Sequence, residues 1–243
     1  MKFKKLFAGV AAAATLLAGM AFGTGAANAA ETTVDTAATV TFKASKEKQL
    51  TSAQLSAYKI ADYVNYGTAK TPVYGVKTAA GANRTKLAAA LTAAGFQNVP
   101  IDGTTDLMAW AMNQKTTTDT DGTVTQVQFD QSETRPWNNP SVTRKFADAL
   151  QAGNPFTATA DPFVLNKATG NDTDGWTATN KTALTAGVYL FLDGNASTDT
   201  LTQAVPMIVS TGSVDAEGVL SLGDSTAEVD MKSTVSGTQT KST

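Results

Sequence analysis

Segments that alternate apolar and polar residues occupy both ends of the chain, and they limit the fold more than any other feature. Near the start, Val40 and Phe42 share one phase while Thr41 and Lys43 share the other. This period of two is typical of a half-buried strand. A helix also fits the start of the next segment, 53–66, whose centre we interpret as a strand. The pattern predicts strands at 33–44, 55–64, 71–78, 123–129, 163–165, 175–179, 187–192, 205–210, 219–222 and 227–231.

The strands at the two ends of the chain must pair with each other in order to bury their apolar side chains. These side chains are Val40, Phe42, Tyr189, Phe191 and Ile208. The middle of the chain changes to helical spacing, which predicts helices at 83–95, 105–113 and 140–153. We therefore predict a mainly β fold: a mostly antiparallel β-sandwich with a short helical insert at about residues 83–153.

The first 29 residues have the parts of a secretory signal peptide. Three lysines precede an apolar run at 6–22, and 27–29 offer a cleavage site of small residues. A transmembrane anchor is the alternative, but the run is short for a bilayer span. We expect a secreted protein with one domain at 30–232 and a linker or truncated tail at 233–243.

The chain contains neither histidine nor cysteine, and this excludes several classes of enzyme. It offers no imidazole base, no Ser-His-Asp triad and no thiolate nucleophile. A hydrolase would need two carboxylates in an environment that raises one pKa, but the acidic residues are scattered singly. We predict a protein that is not an enzyme and has no cofactor. The net charge of -2 also argues against a nucleic-acid partner, which requires a basic surface.

Two Asp-x-Asp-Gly segments, at 119–122 and 172–175, look like parts of calcium loops. A complete loop of the EF-hand type ends on a glutamate, whereas Gln128 and Lys181 stand at those positions. We predict tight turns and no metal site. Trp110, Trp137 and Trp176 either line a sugar-binding surface or bury area in the core, as spaced single aromatics usually do.

Four segments resemble strands of the sortase-assembled fimbrial (pilin) subunits of Gram-positive bacteria. They are 56–62 (SAYKIAD), 184–193 (LTAGVYLFLD), 204–209 (AVPMIV) and 227–233 (AEVDMKS). Together with the signal peptide, they resemble the N-terminal domain of such a subunit. The resemblance implies an Ig-like or Cna-B-like β-sandwich and a structural role in a fimbria on the cell surface or cell wall. It also implies neighbouring pilin subunits and a sortase as partners, with adhesion as the biological output.

Members of this family usually continue to a C-terminal L-P-x-T-G sorting signal, an apolar segment and a basic tail. The present chain stops at Thr243 without them. Either it is a fragment of a longer subunit, or it is secreted and is not linked through its own C-terminus. The competing hypothesis for function is an adhesin domain that binds a host glycan or matrix protein through the helical insert and the tryptophans.

The resemblance further implies an acceptor lysine for sortase, and its counterpart is Lys232. The family's usual "Y-P-K" setting is absent, because Met231 precedes the lysine here. Residues 228–232 (EVDMK) match an "E-V-x-x-K" variant instead. A sortase acyl-enzyme requires an exposed amine, and a lysine at the end of the last strand meets that requirement. The alternative is an ordinary surface lysine.

Relatives often carry an intramolecular isopeptide bond, which needs a lysine that points into the core. Lys43 is out of phase with the apolar face of its strand, and Lys46 is in phase but near the strand end. Asp193 stands where the family places its buried acid, and Asp230 or a nearby asparagine would be the acceptor. A buried lysine and acid without the bond would be costly. Because the phase counts against Lys43, the acid is Asp where the family has Glu, and Asp193-Gly194 fits a turn equally well, we predict no isopeptide bond in this domain.

Overall fold

The computed structural model describes residues 31–130, 140–195 and 203–234. The strands are β1 (Thr32–Thr33), β2 (Ala37–Ala44), β3 (Leu55–Asn65), β4 (Tyr74–Thr78), β5 (Gln114–Thr118), β6 (Val124–Phe129), β7 (Thr169–Asn171), β8 (Gly175–Thr179), β9 (Leu184–Thr185), β10 (Gly187–Asp193), β11 (Gln203–Ala204), β12 (Met207–Ser210), β13 (Ser213–Val214), β14 (Leu220–Ser221), β15 (Thr226–Asp230) and β16 (Ser233–Thr234). The helices are α1 (Glu47–Thr51), α2 (Arg84–Ala94), α3 (Leu107–Ala111) and α4 (Pro140–Ala152). The predicted signal peptide lies outside the described residues.

One sheet, which we call the central sheet, has the strand order β1-β3-β10-β12, and β4 pairs with β3 as well. All of its pairs are antiparallel. Tyr189 of β10 lies opposite Lys59 of β3 on one side and Val209 of β12 on the other. The family-like segments that contain these three residues are therefore neighbours in one sheet.

The second sheet, which we call the outer sheet, has the order β15-β2-β8-β7, and β9 also pairs with β2. The β2–β8 pair is antiparallel, but β15 runs parallel to β2 with Val229 opposite Phe42. Most of the chain separates β2 from β15, and a long connection permits parallel pairing where a tight hairpin would not. The prediction of a mainly β, mostly antiparallel sandwich is confirmed, with this one parallel pair in the outer sheet.

A core rich in aromatic side chains fills the space between the two sheets, and we call it the sandwich core. Phe191 is at its centre, with ring centroids 5.1 Å from Phe42, 5.0 Å from Phe163 and 6.1 Å from Tyr189. Val40 of β2, Val209 of β12 and Met231, which directly follows β15, also belong to this core.

A second core lies on the opposite face of the central sheet, beneath the helices, and we call it the helical core. It contains Ile60 and Leu190 of the sheet and Leu87, Leu91 and Leu150 of the helices. Helix α2 begins at the cap Asn83, whose side chain accepts a hydrogen bond from Lys86 N at 3.1 Å. It ends at Gly95, which adopts φ 107°, the left-handed conformation that glycine tolerates best. The predicted insert of three helices at 83–153 is confirmed.

The predicted set of buried residues is correct except for Ile208. Val40, Phe42, Tyr189 and Phe191 are fully buried in the sandwich core. Ile208 is half-buried and packs against the helical core, whereas its neighbours Met207 and Val209 face the sandwich core. The prediction was wrong because the central sheet is covered on both faces, so both phases of its strands are apolar and alternation no longer identifies a face.

Other differences arise where the chain changes partners. The predicted strand 33–44 is split, because β1 joins the central sheet and β2 the outer sheet. The predicted strand 163–165 is wrong: Leu165 forms only an isolated bridge with Asn180. The short helix α1 was not predicted. In the part of the chain that the structure describes, no helix is long and apolar enough to cross a membrane.

Candidate functional site

The candidate site is the point where the chain leaves β15. Alternate side chains of β15, Ala227 and Val229, are half-buried against the sandwich core. The next residue to be buried is Met231, whose N–H donates to Lys43 O at 2.7 Å. This contact fixes the end of the strand against β2. Lys232 follows directly.

The backbone of Lys232 is held while its side chain is exposed. Its carbonyl oxygen accepts a hydrogen bond from Val205 N at 2.8 Å, and β16 then pairs with β11. Within the described residues, the Lys232 amine takes part in no ion pair. The arrangement presents a primary amine at a defined place on the surface, and such an amine can act as a nucleophile once it has lost its proton.

Lys43 lies one strand away and differs from Lys232, because it is paired. Its Nζ donates to Glu228 on the neighbouring β15. This hydrogen bond and the charge of Glu228 raise the pKa of Lys43 above its ordinary value. A raised pKa keeps the amine protonated, so Lys43 is a poorer nucleophile than an unpaired lysine at the same pH.

The three residues that could take part in an isopeptide bond lie in different places. Lys46 is exposed, and its Nζ lies 2.8 Å from Asp172. Asp230 is exposed at the end of β15, opposite Lys43 in the register. Asp193 is buried, and its carboxylate accepts hydrogen bonds from backbone N–H groups. The structure therefore does not bring these three side chains together as a set.

The buried Asp193 carboxylate ties together three parts of the chain. It accepts hydrogen bonds from the N–H groups of Gln54 at 3.0 Å, Asn195 at 3.0 Å and Ala204 at 2.9 Å. Three donors satisfy most of what a buried carboxylate requires. The carboxylate therefore fixes the start of β3 and β11 against the end of β10. The sequence predicted that Asp193 shares the phase of Tyr189 and Phe191, and its burial agrees with that phase.

Lys59 is a shielded lysine that sequence reasoning missed. Its side chain is 13% exposed, and its Nζ lies 2.7 Å from Asp62 and 2.9 Å from Thr185 Oγ1. The Nζ also lies 5.8 Å from the centre of the Tyr189 ring, within the range of a cation–π contact. Residues three apart in a regular strand point to opposite faces, so the spacing of Lys59 and Asp62 gave no signal.

A β-bulge brings Lys59 and Asp62 to the same face. The register between β10 and β3 shifts between Val188 and Tyr189, and one extra residue in β3 reverses the phase of the residues after it. Gly187 leaves room for the lysine, because a Cβ at that position would lie 2.4 Å from Lys59 Cε. The local structure thus holds an ion pair at the border of the sandwich core.

The two Asp-rich loops are turns, as predicted. Asp119 Oδ1 accepts hydrogen bonds from the N–H groups of Asp121 and Thr123. Asn171 plays the same part for Thr173 and Asp174 in the second loop. Among the residues that the structure describes, no three acidic side chains come together as a group that could hold a metal ion.

The tryptophans do not form a common surface in the described part of the chain. Trp110 packs at the edge of the helical core, with its ring centroid 5.8 Å from that of Phe96. Trp176 is on the outer sheet, where its Nε1 donates to Asp172 at 2.9 Å. Trp137 lies outside the described residues. The predicted burial of single aromatics therefore holds in part for Trp110 and Trp176, which both pack against a core.

No family model matches the sequence, and no curated protein matches it. Among solved structures, the chain is similar to the T6 backbone pilin of serotype M6 Streptococcus pyogenes, which has a modular three-domain structure decorated with variable loops and extensions. The identity is 16% and the TM-score 0.34, over 82% of this chain and 28% of that one. The chain thus spans less than a third of the length of that pilin.

Proposed function

We propose that the chain is a structural subunit of a fimbria, and that Lys232 is the amine through which a sortase links it to a neighbouring subunit. The observation that carries the proposal is the exposed Lys232 side chain, which forms no ion pair with the described residues, on a backbone that is held by Val205. Support comes also from the family-like segments of the sequence, since those in β3, β10 and β12 are neighbours in the central sheet.

The proposed reaction is an acyl transfer. The neighbour's C-terminal threonine is carried as a thioester on the sortase cysteine. The neutral Lys232 amine attacks the carbonyl carbon, a C–N bond forms, the C–S bond breaks, and the thiolate leaves as the amine nitrogen gives up its proton. The Lys43 amine is held by the Glu228 carboxylate, which disfavours the loss of its proton, and this counts against Lys43 as the acceptor.

In this proposal, the predicted signal peptide exports the chain, and the folded domain becomes part of a polymer on the cell surface. The backbone and the side chain of Lys232 have different roles in this proposal. The hydrogen bond to Val205 fixes the position of the Lys232 Cα, while the four-carbon stem gives the amine reach into a sortase active site.

The test is a sortase reaction on the purified chain without its signal peptide. The sortase of the producing bacterium and a peptide with an L-P-x-T-G signal are added, and the modified lysine is located by tandem mass spectrometry. We expect the adduct on Lys232. Lys232→Arg retains the charge and removes the nucleophile, so it should abolish the adduct.

Lys181→Arg is the matched control. Lys181 is also exposed, and it too forms no ion pair with a residue that the structure describes. The adduct should persist in this variant at the level of the unchanged chain. If Lys232→Arg retains the adduct, or if the modification lies on several surface lysines equally, the proposed acceptor role is wrong.

A further inference from the structure

Asp193 is a carboxylate buried at the end of β10, where only 3% of the residue is exposed. A carboxylate in such a place costs free energy unless hydrogen-bond donors replace the lost water. Its two oxygens meet donors from different parts of the chain. Oδ1 accepts from the N–H groups of Gln54 and Asn195, whereas Oδ2 accepts from Ala204 N at 2.9 Å. Each oxygen therefore makes a different connection.

The connection through Oδ1 joins Asp193 to the central sheet. Gln54 directly precedes β3, which pairs with β10 along the whole of that strand. Two more hydrogen bonds join the same segments: Gly194 N donates to Gln54 O at 2.9 Å, and Asn195 Nδ2 donates to Ser52 O at 2.6 Å. The end of β10 is therefore fixed to the central sheet independently of β11.

The connection through Oδ2 holds β11, and β11 in turn holds the backbone of Lys232. Neighbouring N–H groups of an extended chain point to opposite sides. Ala204 N–H accordingly donates to Asp193, while Val205 N–H donates to Lys232 O at 2.8 Å. One edge of β11 thus meets Asp193, and the other edge pairs with β16, which directly follows Lys232.

We propose that Asp193 is a positioning residue for the sortase reaction: its carboxylate holds β11, so that Lys232 is presented to the acyl-enzyme on a fixed backbone. This inference rests on the proposed function of Lys232. Because Asp193 is buried, it does not touch the sortase or the acyl group and acts through β11 alone. A fixed backbone reduces the entropy that is lost when the amine reaches the thioester carbon, whereas a mobile backbone would leave the same amine exposed but badly placed.

Asp193→Asn tests the connection with little change of volume. One carboxylate oxygen becomes an NH₂ group, which cannot accept a hydrogen bond. Turned towards Ala204, this group removes one hydrogen bond; turned the other way, it removes the two on Oδ1. The first orientation costs less, so the substitution should release β11 and leave the bonds of Oδ1 in place.

Two measurements are made on the purified chain without its signal peptide. Amide hydrogen exchange, followed by NMR, reports whether Ala204 N–H and Val205 N–H remain bonded. We expect both amides to exchange at least about tenfold faster in Asp193→Asn. The sortase reaction with an L-P-x-T-G peptide gives the rate of adduct formation on Lys232, and we expect its kcat/KM to fall about tenfold.

A small acylating reagent separates exposure from placement. Acetic anhydride should modify Lys232 in Asp193→Asn as fast as in the unchanged chain, because the side chain stays exposed and the reagent needs no docking. A loss that appears only with the sortase therefore indicates a change in position.

Asp62→Asn is the control for a general loss of stability. Asp62 lies at the other end of the β3–β10 pair, beside Lys59. This substitution should leave the exchange of Val205 N–H and the sortase reaction at Lys232 unchanged.

Gln203→Ala is a second variant that leaves the buried carboxylate untouched. Gln203 Nε2 donates to the backbone oxygen of Asp193 at 2.9 Å, so its removal loosens β11 at a less buried position. Both measurements should move in the same direction as in Asp193→Asn, by a smaller factor. This variant decides the question if Asp193→Asn does not fold.

Unchanged exchange of Ala204 and Val205 in both variants would overturn the inference. So would faster exchange with an unchanged sortase rate, slower modification by acetic anhydride, or an equal loss of rate in Asp62→Asn. A chain without substitutions that forms no adduct on Lys232 would overturn the proposed function, and the inference with it. The exchange data would then still show separately whether Asp193 holds β11.

Discussion

The sandwich core and the helical core share strands β3 and β10 but are built from different side chains. In the sandwich core, three aromatic rings surround Phe191. In the helical core, α2 contributes Leu87, Ala90, Leu91 and Ala94. Two sheets pack about 10 Å apart, so the space between them calls for large side chains, whereas alanines allow a helix to approach a sheet closely. Truncation at the centre of the ring cluster should therefore cost more than truncation of a side chain on α2.

Phe191→Ala should destabilise the fold more than a truncation of equal burial in the helical core. Phe191 is fully buried and lies against Phe42, Phe163 and Tyr189, so its loss removes apolar burial, aromatic contacts and volume together. We expect a loss of about 3–5 kcal/mol in the free energy of unfolding. Leu91→Ala, equally buried in the helical core, removes a smaller side chain, and buried leucine truncations cost about 2–5 kcal/mol, so we expect a loss below that of Phe191→Ala. Denaturant unfolding of both variants measures the difference, and a larger loss for Leu91→Ala would contradict the comparison.

Asp62→Asn tests the ion pair at the border of the sandwich core. The change leaves the Lys59 ammonium, only 13% exposed, without its charged partner. We expect a loss of roughly 1–2 kcal/mol, less than for a fully buried pair because some solvent remains. The measurement is again denaturant unfolding.

Asp172→Asn is the control for that substitution. Its partner Lys46 and Asp172 itself are mostly exposed, and exposed pairs contribute little to stability. The loss for Asp172→Asn should be clearly smaller than that for Asp62→Asn. Equal losses would mean that the position of Lys59 next to the core has no energetic consequence.

The sequence allowed much of the sandwich to be predicted, for a physical reason. In β2, Val40 and Phe42 alternate with polar residues because one face of the outer sheet meets water, and alternation identifies such a face. In β10 both faces are covered, so nearly every residue is buried. For the same reason, alternation could not show which face of the central sheet Ile208 lies on in the paired β12. The parallel pairing of β15 depends on the path of the whole chain and has no local signal.

The candidate site could be predicted as a place but not as a set of contacts. The resemblance to fimbrial subunits indicated Lys232, and the predicted strand 227–231 placed it directly after a strand. The hydrogen bond from Val205 to its carbonyl could not be predicted, because it joins residues from different segments. Lys59 escaped notice because only the bulge places it beside Asp62.

The ionisation of Asp172 should make the stability of the fold depend only weakly on pH. Lys46 and the indole of Trp176 lower the pKa of Asp172 below its ordinary value of 3.8. A lowered pKa stabilises the fold above the unfolded value, and this contribution is lost as the pH falls through the folded pKa. In a carboxyl NMR titration, Asp172 should titrate below 3.8, and Lys46→Met should move its midpoint up towards 3.8. An unmoved midpoint would show that Lys46 is not the cause.

The last prediction is that the mass of the chain is unchanged by any internal cross-link. We predict that the sandwich core is held by packing without an isopeptide bond, because the side chains that face inward from β2 and β15 are Val40, Phe42, Ala227 and Val229. The intact mass of the purified chain should equal the mass of its sequence after signal-peptide removal. A mass lower by about one ammonia or one water would contradict this prediction.

The most direct test of the proposed role of Lys232 uses polymers from the surface of the producing cells. These are digested, and peptides that are joined through a lysine side chain are sequenced by tandem mass spectrometry. We expect the branched peptide to contain Lys232, with its Nζ in an amide bond to the C-terminal threonine of a neighbouring subunit. Polymers in which Lys232 is unmodified and another lysine carries the bond would contradict that role.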